Sequence, residues 1–122
     1  MKNVLPTIRL FRPVNLLLGA MMVTVTAALV DALNQTDLLM KGIFVVMSFT
    51  AAANAYNDYC DLETDKINRT NRPLPRGDLA PETALILSIL LFMMGAGISF
   101  TINIGAFILA VVVALPLIVI YS

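Results

Sequence analysis

The sequence predicts an all-α fold, a multi-pass transmembrane helical bundle, and three observations carry that prediction. Of 122 residues, 59% are hydrophobic and 13% are charged, about half the ~25% charged share of an ordinary soluble domain. Mean hydropathy is +0.87, more apolar surface than a soluble core of this size could hide, because small domains leave a large fraction exposed. Finally, the apolar residues fall into long runs, Val14–Val30, Leu38–Tyr56, Thr83–Ile102 and Ile104–Tyr121, each approaching the ~20 residues a helix needs to cross a bilayer. In lipid, backbone polar groups must be satisfied within a helix or a closed barrel. The runs lack the strict alternation of barrel strands, which leaves helices.

Extended to their polar ends, the runs predict four helices at 14–30, 38–60, 81–102 and 104–121. The first follows Lys2, Arg9 and Arg12. It is long for a signal peptide and more spans follow it, so it reads as a retained helix. Pro13 and Pro81 stand where the first and third helices begin, the position at which proline costs least. Pro116 lies inside the fourth and should kink it. Asn103 and Gly105 leave room for only a very short hairpin before that helix. Gly19 and Ala20, Ala51 to Ala53, and Gly95 to Gly97 mark faces where helices can approach closely in lipid. The seven methionines read as adaptable packing.

Charge orients the bundle. Of 8 Lys and Arg, three precede the first helix, and Lys66, Arg69, Arg72 and Arg76 lie between the second and third. Lys41 alone falls on the other side. The positive-inside rule then places the N-terminus and the Asn57–Pro81 region in the cytoplasm of a cell-membrane protein. Net charge is zero and His is absent, which removes the usual neutral-pH acid–base group and the commonest metal ligand. A metal here would be held by carboxylate and amide oxygens. Cys60 has no partner for an internal disulfide, and no basic surplus points to nucleic acid.

The chemistry is concentrated where the second helix ends, in Asn54-Ala-Tyr-Asn57-Asp58-Tyr-Cys-Asp61-Leu-Glu-Thr-Asp65. If the helix runs on through this segment, Asn57, Asp61 and Asp65 recur at every fourth position along one face. Asn54 and Asp58 then share an arc of roughly 100° with them, while Glu63 points elsewhere. Stacked carboxylates repel one another and are costly near hydrocarbon, so they call for cations or water. Mg²⁺ prefers such oxygens and typically fills its remaining positions with phosphate. The pattern therefore suits half of a site for a Mg²⁺-bound diphosphate; the plainer alternative is a solvated acidic helix end. Lys66, Arg69, Arg72 and Arg76 follow directly, and arginine forks match phosphate oxygens, although basic cytoplasmic loops also serve topology alone. The Pro73-Leu-Pro75-Arg-Gly77 stretch is expected to form a stiff loop over the membrane face rather than a continuous helix.

The stretch from Asn57 to Gly77, with N-D-x-x-D-x-x-x-D followed by N-R-P-L-P-x-G, resembles the first Asp-rich motif of the UbiA superfamily of intramembrane prenyltransferases. Arg9-Leu-Phe-Arg12-Pro-Val-Asn15 resembles the family's N-terminal entry. The resemblance implies a bundle of nine transmembrane helices around a cavity open to lipid, with residues 1–122 as the N-terminal part of that domain. It further implies that Asn57, Asp61 and Asp65 bind Mg²⁺ and the diphosphate of a polyprenyl donor as the catalytic and metal residues. Lys66, Arg69, Arg72 and Asp58 would assist in holding the diphosphate. The wording of the motif is most similar to the archaeal ether-lipid branch, which transfers geranylgeranyl from its diphosphate to geranylgeranylglyceryl phosphate. Aromatic-acceptor branches, acting on hydroxybenzoate, homogentisate or chlorophyllide, share the motif with other intervening residues.

The sequence departs from the family in length and in lacking a second Asp-rich motif. Residues 1–122 are therefore expected to hold half an active site, as a fragment that does not turn over alone. Two rival classes are a small membrane protein that binds or conducts divalent cations, and a non-catalytic lipid-binding or assembly subunit.

Overall fold

The computed structural model describes residues 4–120; Lys2 and Tyr121, used above, lie outside them. Every regular element among the described residues is helical. The chain runs through α1 (Val4–Phe11), α2 (Pro13–Leu29), α3 (Thr36–Cys60), α4 (Leu62–Asn68), α5 (Pro73–Arg76), α6 (Pro81–Ile102) and α7 (Ile104–Leu109). A π-helical turn (Ala110–Ala114) and α8 (Leu115–Ile120) follow. The all-α membrane-bundle class holds.

Helix α1 is an addition to the sequence reading, because eight residues are too few to register in a search for ~20-residue spans. It joins α2 at a bend of 49°, centred on Arg12, whose φ of 55° lies in the left-handed region. The ring of Pro13 disfavours a right-handed helical conformation at the residue before it, so the break falls there and Pro13 opens α2. Leu10 of α1 is fully buried and packs with Ala55, Leu74, Leu79 and Ala84. One small hydrophobic core thus ties α1, α3, α5 and α6 together at the end of the bundle that carries the Asp-rich segment.

Helices α3 and α6 are each long and apolar enough to cross a membrane without interruption, and the bent pair α1–α2 supplies a third candidate span. Their contacts bear out the small-residue faces at two glycines. A Cβ on Gly19 would stand 2.9 Å from Val46 Cγ1, and one on Gly95 would stand 2.8 Å from the Phe49 ring. Phe49 in turn lies against Phe92 of α6, with ring centroids 5.1 Å apart. Gly97, by contrast, faces open space.

The fourth predicted helix is a shorter apolar stretch, Ile104–Ile120, divided by the π turn just before Pro116. Proline lacks the N–H that would reach the Val112 carbonyl, and its ring crowds that carbonyl. Widening the ladder to i→i−5 is a common way to absorb such a fault. The corner before it is tighter than a hairpin loop: Asn103 alone leaves the helix, and its Oδ1 accepts from the Ala106 N–H at 2.7 Å.

The Pro73–Gly77 segment is no continuous helix, as expected, but in place of a stiff loop it forms the single helical turn α5. Both prolines fall in the first turn, whose N–H groups have no intrahelical partner in any case. Gly77, at φ 79°, closes it, with its own N–H on Leu74 O at 3.1 Å and the Asp78 N–H on Pro73 O at 3.0 Å. That pair of bonds is a Schellman stop.

A candidate diphosphate half-site at the end of helix 3

The long helix does not run unbroken through the acidic segment. Asp61 leaves helical geometry at φ −92°, ψ 10° and separates α3 from α4. The four-residue ladder nevertheless passes through the break. The Asp61 N–H reaches Asn57 O at 2.9 Å, the Asp65 N–H reaches Asp61 O at 2.8 Å, and the Arg69 N–H reaches Asp65 O at 2.9 Å. The kink re-aims α4 while Asn57, Asp61 and Asp65 keep their spacing.

Two acids of the segment are spoken for. Asp58 and Asp65 are each 2% exposed, and buried carboxylates are tolerated only when paired. Asp58 Oδ1 accepts from Arg12 Nη2 at 2.5 Å and from Arg72 Nη1 at 3.1 Å. Arg72 Nη1 also reaches Asp65 Oδ2 at 3.1 Å. Two cations and two anions thus form one half-buried, charge-balanced tetrad that joins the α1–α2 break, the end of α3, α4 and the start of α5. Arg9 Nη2 adds a bond to Asn71 O at 2.6 Å. Asn54, placed by its spacing with the acids, does other work: its Nδ2 donates to Phe11 O at 2.9 Å and satisfies a carbonyl freed by the helix break.

Asn57 and Asp61 are half-buried, and among the described residues their side chains have no hydrogen bond or ion pair. Their oxygens are uncommitted. Lys66 is exposed and pairs with Glu63 at 3.3 Å, Arg69 is exposed, and Arg76 pairs with Asp78 at 3.4 Å. Arg72 lies deepest of the four loop cations, its side chain 21% exposed. No group of three or more His, Cys, Asp or Glu converges to hold a metal among the described residues. An amide and carboxylates suit a hard cation that keeps water or phosphate in its other positions. The donor set is therefore compatible with half a Mg²⁺ site and not with an all-protein cage.

Sequence reasoning missed Arg12. Its signals were an arginine directly before a helix-opening proline and its place in the Arg9–Asn15 entry, and nothing in the spacing shows that it reaches 46 positions along the chain to Asp58.

Residues 11–122 match the family model described as the UbiA prenyltransferase family. The chain belongs to the UbiA prenyltransferase family. Among curated UbiA-like relatives, it is 35% identical over 116 residues to digeranylgeranylglyceryl phosphate synthase of Methanothrix thermoacetophila, an alignment covering 92% of this chain and 42% of the relative. It is 41% identical over 107 residues to the protein of that name from Thermococcus kodakarensis, covering 86% and 38%. Against the namesake from Thermococcus onnurineus it is 49% identical over 65 residues, covering 52% and 24%. The chain spans about two fifths of the length of the first two relatives. No solved structure matches it. As a UbiA-family chain with long apolar helices, it is a membrane protein.

Proposed function

We propose that this chain contributes the first half of the active site of a Mg²⁺-dependent prenyltransferase, one that moves geranylgeranyl from its diphosphate to geranylgeranylglyceryl phosphate in archaeal-type ether-lipid synthesis. The observation that carries the reading is the pair of uncommitted oxygen donors, Asn57 and Asp61, beside cations at the polar end of a membrane-length helix. The names of the curated relatives support the choice of donor and acceptor.

In this reading Asn57 and Asp61 offer open oxygens to the metal, and Asp65, whose Oδ2 is held by Arg72, would join them through its other oxygen, Oδ1. Mg²⁺, when bound, would neutralise charge building on the departing diphosphate. The residues of the chain itself position and shield. Arg72, pinned between Asp58 and Asp65, presents a fixed guanidinium toward phosphate oxygens, the preorganised kind of charge stabilisation that costs no reorganisation during reaction. Lys66 and Arg69, both exposed, act in capture of the anion. The apolar helix faces keep water from the allylic carbon while its bond to the diphosphate oxygen breaks and the acceptor hydroxyl attacks, its proton leaving to the released diphosphate. The positive-inside rule puts the N-terminus and the Asp-rich segment on the cytoplasmic face of the cell membrane.

The test is a transfer assay on membranes carrying the complete gene product that contains this segment, with Mg²⁺ and geranylgeranyl diphosphate. Geranylgeranylglyceryl phosphate and hydroxybenzoate are offered as competing acceptors. The lipid phosphate should be the product-forming acceptor, and Asp61→Ala should lower kcat at least about 100-fold, the scale on which loss of transition-state charge stabilisation is felt. Preferred transfer to hydroxybenzoate would move the protein to the aromatic branch. Normal turnover by Asp61→Ala would remove the metal assignment.

A further inference from the structure

We propose that Arg12 is a positioning residue for the diphosphate half-site, acting through Asp58 on Arg72; this rests on the prenyltransferase reading above. Arg12 stands outside the acidic segment and makes no hydrogen bond or ion pair with Asn57 or Asp61 among the described residues. Its guanidinium instead shares one oxygen, Asp58 Oδ1, with Arg72, and Arg72 shares its Nη1 between Asp58 and Asp65.

The charge count makes the role specific. With Arg12 in place the tetrad is neutral, and Arg72 is held by two carboxylates without having to neutralise both. Without the Arg12 charge, two buried acids compete for one cation, and a surplus negative charge lies beside the place where an anionic diphosphate would dock. A carboxylate buried as deeply as Asp58 feels such an imbalance strongly, because little water is present to screen it.

The backbone points the same way. Arg12 occupies a left-handed conformation, φ 55° and ψ 76°, which glycine adopts more easily than arginine. The side chain is what an arginine adds there. The chain just before Arg12 is tied down by two bonds, Asn54 on Phe11 O and Arg9 on Asn71 O. The N-terminal helix is in this way a latch that sets the charge at the site without entering it.

The experiment uses the complete gene product in membranes with geranylgeranyl diphosphate as the probe. Arg12→Gln should raise KM for the diphosphate about tenfold while changing kcat less than about threefold. Adding Asp58→Asn restores neutrality and should bring KM back to within about threefold of the parent, a coupling that independent structural damage cannot give. A second readout needs no turnover. Cys60 is exposed, and its labelling by cationic against anionic thiosulfonates, mapped by mass spectrometry, reports local charge. The cationic preference should rise about threefold in Arg12→Gln, fall in Asp58→Asn alone, and return to the parental value in the double variant. Parental KM and parental labelling preference in Arg12→Gln would overturn the proposal, as would a double variant worse than either single one. If the parent transfers no prenyl group, the prenyltransferase reading fails by itself. The opposite shifts in Cys60 labelling then decide whether Arg12 sets the charge.

Discussion

Between the apolar helices the fit is set by size: Gly19 lets α2 approach Val46, and Gly95 admits the ring of Phe49. At the Asp-rich end it is set by charge, with Arg12, Asp58, Arg72 and Asp65 interlocked and only Leu10 and a few neighbours supplying apolar packing. At Gly19 and Gly95 the apolar seam leaves no room for an added methyl group. The charged end depends in addition on the balance of its two cations and two anions. A site for a diphosphate belongs at the second kind of structure, because anchored charges recognise an anion and a dispersion contact does not.

Breaking the seam should have the larger effect on stability. Gly19→Leu drives side-chain atoms into Val46, a β-branched residue with little rotameric freedom, and should destabilise by about 1–3 kcal/mol. The fraction of protein that remains monodisperse in detergent after heating measures this. A variant as heat-resistant as the parent would mean the helices are not packed at Gly19. The turn that closes α5 should matter less. Gly77→Ala meets no neighbouring atom, so only its positive φ counts, about 1–2 kcal/mol. The matching readout is a modestly lower midpoint of thermal aggregation.

The smallest stability effect is expected where the comparison can be made sharpest. Lys66 and Glu63 form an exposed pair of the kind worth about 0–1 kcal/mol, so Lys66→Ala should leave heat resistance unchanged. Its KM for geranylgeranyl diphosphate should still rise about threefold, as for a lost exposed charge near a bound anion. An unchanged KM would confine Lys66 to its partner Glu63.

The long helices were legible because hydropathy reports length directly, and α3 and α6 begin and end close to where the apolar runs and Pro81 put them. The spacing of Asn57, Asp61 and Asp65 was legible as well, since the hydrogen-bond ladder crosses the Asp61 kink with its register intact. Three features were not. Helix α1 is shorter than any hydropathy window. The π turn is a backbone response to Pro116, whose presence predicts a fault but not its form. The division of labour among the acids depends on arginines arriving from Arg12 and Arg72, and local spacing holds no information about a partner so far away in the chain. Spacing therefore did not show that Asp58 is engaged by two cations and Asp65 by one.

On the reading proposed above, Asn57 and Asp61 are open donors for a metal-bound diphosphate. Equilibrium binding of geranylgeranyl diphosphate to the purified complete gene product, with and without Mg²⁺, tests it most directly, and Asp61→Asn is the informative variant because it removes a charge while keeping the shape. Binding should tighten at least about tenfold with Mg²⁺ in the parent, and that gain should vanish in Asp61→Asn, as expected when a carboxylate ligand shared between metal and phosphate is lost. An equal gain from Mg²⁺ in both proteins would remove Asp61 from the metal site.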